Sequence, residues 1–338
     1  MKKHVIYFFC LFFPLLGCEK AEIFDPYAQD NFEALWKILD EHYCFFDYKQ
    51  IDWDEVHDRY SERISESLNQ RELFDILGEM VSELKDGHTS LKSNFDYAYY
   101  DTWYKDFPDN FDFDIVKNYI GEDYKIAGGL YYQRLCYNTI GYIYYGNFAS
   151  SVTDINIDYV LDYFKDCKGL IIDVRHNTGG YVTSADRLAS RFYKEKTITG
   201  YIIHKKGKGH SDFSDPFPSY LEPSNRIQWY NPTVVLTNRR CYSACNNFVS
   251  LMKLPSQVTV IGDRTGGGSG LPFTSEIPIG WTIRFSASPI LDVNKQNTEF
   301  GIDPDIKVEM RSTDEISGRD HILEYAMNFL QKKKAYNL

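Results

Sequence analysis

The chain has 338 residues, enough for one large core and a smaller satellite, and its 43% hydrophobic and 25% charged residues are those of a globular protein. A formal net charge of −11 argues against a nucleic-acid binder, which needs Lys and Arg patches against phosphate. The 27 Tyr and 23 Phe offer large contact surfaces, which suit a peptide or sugar binder and an aromatic core equally well.

At the start, Lys2 and Lys3 precede an apolar run from Val5 to Leu16 that is too short to span a bilayer comfortably. The run closes on Leu15-Leu16-Gly17-Cys18, which resembles the bacterial lipobox; that resemblance implies a signal peptide over 1–17 and a lipidated Cys18. Residues 18–27 read as a polar tether. Phe32, Leu35, Trp36 and Leu39 then fall at helical spacing, and Asp52 with Glu55 marks the start of a second helix carrying Val56, Tyr60 and Ile64. Leu73 to Leu84 forms a third amphipathic stripe, so 28–92 is expected to be a small helical domain, ended by Gly in Lys85-Asp86-Gly87-His88-Thr89. Residues 93–135, rich in Asp, Tyr and Phe, read as a linking region of unclear structure, and their length and Gly pattern do not suit a PDZ module.

From 136 to 312 the chain alternates strand and helix, the mark of an α/β domain. Predicted strands are 140–145, 170–174, 233–237, 258–261 and 281–285; predicted helices are 157–164, 182–193 and one starting at Ser243. The runs 170–174 and 233–237 are continuously apolar, as expected of strands covered on both faces. A C-terminal helix is expected within 313–338. The short basic cluster Lys205, Lys206, Lys208 reads as an exposed loop. The cysteines beyond Cys18 are an odd five with neither a disulfide framework nor zinc spacing, and read mostly as small buried residues.

Four segments could carry chemistry. Ser243 follows a buried strand and a turn and opens a helix, where free N–H groups and the helix dipole favour an oxyanion. Ser at that place is also an ordinary N-cap. Gly179 and Gly180 let the backbone approach a ligand closely, or simply turn a strand into a helix; the P-loop Lys is missing, so nucleotide binding is not expected. His88 could act as a general base or be an ordinary surface histidine, and His176, beside the glycine turn, is its rival. Glu299 could orient an imidazole or be a solvated loop acid. Cys241 and Cys245, four apart, leave thiol chemistry as a weaker idea.

In order, Asp86-Gly87-His88-Thr89, Asp173-Val174-Arg175 with Asn177, Gly179 and Gly180, Ser243-Ala244-Cys245-Asn246, residues 262–268 and residues 301–306 resemble the C-terminal processing (tail-specific) serine peptidase family. The resemblance implies a ClpP- and crotonase-like spiral of ββα units behind a helical N-terminal domain. It implies peptide-bond hydrolysis of polypeptide substrates, with no metal or cofactor. Members using a Ser-Lys dyad carry the Lys where Gly268 stands, and Arg264 nearby cannot deprotonate. The chain is therefore similar to the tricorn-core branch without a PDZ domain. There the nucleophile would be Ser243, the base His88 and the third member Glu299, with an oxyanion hole from Ala244 and Gly179 or Gly180. The tricorn core has a Ser before its His; here it is Gly87. That departure, with Asn246 after the nucleophile, motivates an alternative: an inactive peptide- or glycan-binding lipoprotein on the same fold. Either would sit at the bacterial cell envelope, held to the membrane through Cys18.

Overall fold

The computed structural model describes residues 27–336. The expected signal peptide, Cys18 and nearly all of the tether lie outside the described residues. Helices α1 (Ala28–His42), α2 (Phe46–Lys49), α3 (Trp53–Ser61) and α4 (Gln70–Ser82) come first. Asp52 caps α3 by accepting from the Glu55 N–H at 3.0 Å, and Asn69 with Glu72 forms a reciprocal capping box on α4. The apolar stripe of α1, Phe32, Leu35 and Leu39, is fully buried.

Next come β1 (Ser90–Lys92), β2 (Tyr97–Tyr99), α5 (Thr102–Lys105), α6 (Phe113–Ile120), β3 (Lys125–Ala127), β4 (Leu130–Leu135) and β5 (Ile140–Tyr144). The chain continues through α7 (Asp154–Tyr163), β6 (Gly169–Asp173), α8 (Val182–Ala189) with a 3₁₀ turn Ser190–Phe192, β7 (Thr197–Ile202), β8 (Phe217–Leu221), β9 (Thr233–Thr237) and α9 (Ala244–Met252). It ends with β10 (Val258–Gly262), β11 (Gly270–Glu276), β12 (Thr282–Leu291), β13 (Ile306–Lys307), α10 (Ser312–Ile316) and α11 (His321–Tyr336).

Two sheets result among the described residues. The larger runs β13-β10-β9-β6-β5-β4-β3, parallel from β5 through β13 and antiparallel at β3 and β4. Its central strands β6 and β9 are wholly buried because both faces are covered. Leu170 and Ile172 pack with α7, α8 and α9, while Ile171 faces the other way with α6 and α11. The smaller sheet is antiparallel, in order β2-β1-β12-β7-β8, with β11 also on β12.

Two expectations change. The N-terminal helices do not close a core of their own: Ile277, Trp281, Ile283 and Phe285, from around β12, complete it. Residues 93–135 are not a linker either, since β2 joins the smaller sheet and β3 and β4 join the larger one. The strands β7, β8 and β11 went unread because they lie in the more exposed sheet, where the apolar signal is weak, and β11 contains Pro272 beside a register shift.

Candidate active site

The tight turn after β9 delivers Ser243 with φ 57° and ψ −122°, a backbone conformation that costs a non-Gly residue on the order of 1–3 kcal/mol. Ser243 occupies the N-cap position of α9 but makes no capping bond with its side chain. Its hydroxyl instead meets the His88 imidazole, with Nε2 and Oγ 2.8 Å apart. The ordinary N-cap reading thus fails on geometry. His88 reaches this point because β1 pairs with β12, placing Ser90 opposite Arg284, whose Nη1 donates to the His88 carbonyl at 3.0 Å. Burial pushes the imidazole down to about 4; Asp86 pulls it back up, while Arg284 and Lys49 depress it further. A neutral ring at ordinary pH can accept the serine proton.

The glycine turn lies against the same serine. A Cβ on Gly179 would come within 2.8 Å of the Ser243 Cβ. Asn177 clamps the turn, donating to the Tyr145 carbonyl at 2.7 Å and accepting the Gly179 N–H at 2.9 Å. Of the expected oxyanion donors, Gly179 is therefore committed elsewhere. The N–H groups of Gly180 and Ala244 make no hydrogen bond among the described residues, and both residues line the cavity that holds Ser243 and His88. Two free donors beside a nucleophile can hold the oxyanion of a tetrahedral intermediate.

Glu299 does not touch His88. Its Oε1 pairs with Lys49 Nζ at 2.9 Å, and its Oε2 accepts the Ser269 N–H at 2.8 Å. Lys49 Nζ also lies 3.7 Å from Asp86 Oδ2, which receives the Tyr43 hydroxyl, and Asp86 Oδ1 accepts the His88 backbone N–H at 2.8 Å. These three charges are almost wholly buried. Burial and Asp86 raise Glu299 to about 7 despite Lys49. Burial acts the same way on Asp86, but Lys49 and His88 outweigh it and hold that acid below its usual range. The third member expected from sequence is therefore part of a Lys49–Asp86–Glu299 cluster that reaches His88 through Asp86. His88 Nδ1 itself is buried with no hydrogen-bond partner among the described residues.

The space of the missing serine is filled. A Cβ on Gly87 would meet Trp103 Nε1 at 2.6 Å and the Tyr242 hydroxyl at 2.9 Å. Trp103 stacks on Tyr242, with ring centroids 4.0 Å apart, and Tyr242 packs on His88 at 5.0 Å. Gly268 is closed in the same way: a Cβ there would lie 2.4 Å from the Tyr242 ring, so no lysine fits without moving it. Lys49, Trp103 and Tyr242 were not found from sequence; only contacts between distant segments mark them.

The rivals lie elsewhere. His176 bonds Asp109 at 3.2 Å and packs on Phe111. Cys241 and Cys245 are wholly buried, with both thiols turned to the Val174 carbonyl, and burial holds the Cys245 thiol well up. Asn246 ties α9 to the late loops, donating to Thr298 and accepting from the Thr265 hydroxyl at 2.6 Å.

Residues 139–308 match the model of peptidase family S41, and residues 26–82 match that of the tricorn protease C1 domain. A crystal structure of a candidate peptidase from Parabacteroides merdae is 57% identical, with a TM-score of 0.88, and the likeness covers 90% of this chain and 97% of that one. A candidate tricorn-like protease C-terminal subunit of Sulfurisphaera tokodaii is 28% identical over 49% of this chain and 18% of its own length. The carboxy-terminal processing protease CtpA of Bacillus subtilis is 25% identical over 53% of this chain and 37% of its own. The chain thus spans well under half the length of these two curated relatives.

Proposed function

The chain belongs to peptidase family S41, and from that premise we propose that it hydrolyses peptide bonds with Ser243 as nucleophile and His88 as base. One observation carries the reading: the 2.8 Å approach of His88 Nε2 to the Ser243 hydroxyl, made by a serine that gives up its capping role. His88 takes the Ser243 proton as Oγ attacks the scissile carbonyl. Gly180 and Ala244 donate to the oxyanion, His88 returns the proton to the leaving amine, and water then clears the acyl-enzyme. The Lys49–Asp86–Glu299 cluster carries one net negative charge when Glu299 is ionised, which favours the imidazolium formed during transfer. The alternative of an inactive binder was motivated by Gly87 and Asn246; the packing of Trp103 and Tyr242 supplies a steric reason for the glycine, and Asn246 ties α9 to Thr298 and Thr265.

The test is hydrolysis of an unfolded polypeptide such as casein. Ser243→Ala should abolish it, and His88→Ala should slow it by about 10²–10⁴-fold. Full activity in either variant would overturn the assignment. Lipidation of Cys18 and residence at the cell envelope rest on residues 1–18 alone. Expressed in a bacterium, the chain should partition with membranes, and Cys18→Ser should release it; a wild-type chain found wholly in the soluble fraction would contradict the anchor.

A further inference from the structure

The cavity that holds Ser243 has a volume of about 340 Å³ and extends well past the serine. Ser250 and Leu251 line it roughly two helical turns along α9, about 10 Å from Ser243 by helix rise, which is the reach of a long side chain. Val182 and Asp186 line the same cavity from α8, four residues apart and so on one face of the helix that follows Gly180.

Asp186 is the anomaly in this wall. Its carboxylate is partly buried and has no hydrogen bond or ion pair among the described residues. The cations near it in sequence, Arg187 and Arg191, and the one on the cavity wall, Arg284, are engaged elsewhere. Arg187 turns to Asp154 and the Val152 carbonyl, Arg191 to Asp154 and Asp158, and Arg284 to the His88 carbonyl at the catalytic end. The Tyr193 hydroxyl donates to the Leu251 carbonyl. Burial alone raises the carboxyl to about 6, the mark of a charge that the free protein does not neutralise. A lone carboxylate in a slot beside a nucleophile is complemented by a cation arriving with the ligand.

We propose that Asp186 receives the ammonium or guanidinium of a substrate lysine or arginine flanking the scissile bond. This rests on the peptidase reading above and adds the substrate class to it. The slot then rewards basic side chains, since an unpaired acidic partner in a desolvated pocket discriminates strongly by charge.

The experiment uses matched fluorogenic peptides carrying Lys, Arg, Leu or Glu on either side of the scissile bond, with fluorophosphonate labelling of the wild-type chain as the check on the nucleophile. We expect kcat/KM for Lys or Arg to exceed that for Leu by at least about tenfold. The preference should fade between pH 7 and 5 as the Asp186 carboxyl protonates. Asp186→Asn should remove the preference, and Asp186→Lys should shift it toward Glu. In Ser243→Ala, fluorescence anisotropy should show the Arg peptide binding more tightly than the Leu peptide, and adding Asp186→Asn should close the gap. A wild-type chain that takes the label but prefers Leu or Glu overturns the assignment of Asp186 and leaves the peptidase reading intact. Failure to take the label overturns both.

Discussion

Ser243 and His88 each spend stability on position. The serine holds a strained backbone and forgoes its cap, and the imidazole is buried where charging it is unfavourable. The pH consequences follow from the signs. Because the folded-state value of His88 lies near 4 rather than the ordinary 6.5, its contribution to stability is complete above about 6.5 and is lost as pH falls toward 4. Glu299, raised from 4.5 to about 7, runs the other way: it favours the fold below about 4.5, and that contribution is lost as pH rises through 7. For a substrate without Lys or Arg, kcat/KM should therefore show a lower limb near pH 4 from the base and a smaller rise near 7 as Glu299 ionises. In Glu299→Gln the upper step should vanish, and a pH–rate profile unchanged by that substitution would contradict the coupling. Gly87 yields a second expectation. Gly87→Ser supplies the residue that the tricorn core carries before its histidine, yet its Cβ would collide with Trp103 and Tyr242. It should lower kcat/KM by about tenfold or more by shifting His88; a gain in activity would show that the site lacks a serine rather than excludes one.

At the scale of elements, the site is the C-terminal edge of two adjacent parallel strands. The turn after β6 supplies Gly180, and the turn after β9 supplies Ser243. Arg175 locks the first turn from below. Its guanidinium is bidentate to Asp173, at 2.9 and 2.6 Å, and reaches Asp320 at 3.0 and 2.7 Å, all with no side-chain exposure. Asp320 in turn caps α11 by accepting the Leu323 N–H at 2.9 Å. Asp320→Ala should therefore destabilise the chain by on the order of 3 kcal/mol, measured by chemical denaturation; a loss below about 1 kcal/mol would mean the cluster is not a tie. This scale was the most legible in the sequence. The strands β6 and β9 announce themselves as continuous apolar runs because both faces are covered, and the turn after β6 carries the glycines that the φ values of 101° and 131° at Gly179 and Gly180 require. What sequence could not tell was which of two adjacent N–H groups is free: the answer depends on the Asn177 side chain, which takes the Gly179 donor.

At the scale of the molecule, the site depends on two sheets meeting. The N-terminal helices finish their core on β12, and β12 holds β1, so His88 stands at the junction of the first and last parts of the chain. The Lys49–Asp86–Glu299 cluster crosses the same junction. Ordered motifs revealed that His88 and Ser243 belong together, but no local pattern marks Lys49 on a four-residue helix, or Trp103 in a stretch whose Asp, Tyr and Phe have no periodicity. Such residues acquire meaning only when the sheets close around them. The most direct measurement is mass mapping of a fluorophosphonate adduct on the folded chain. The account predicts one adduct, on the peptide containing Ser243, formed at least about 10²-fold more slowly in His88→Ala. An adduct on any other residue, or one formed equally fast without His88, would contradict it.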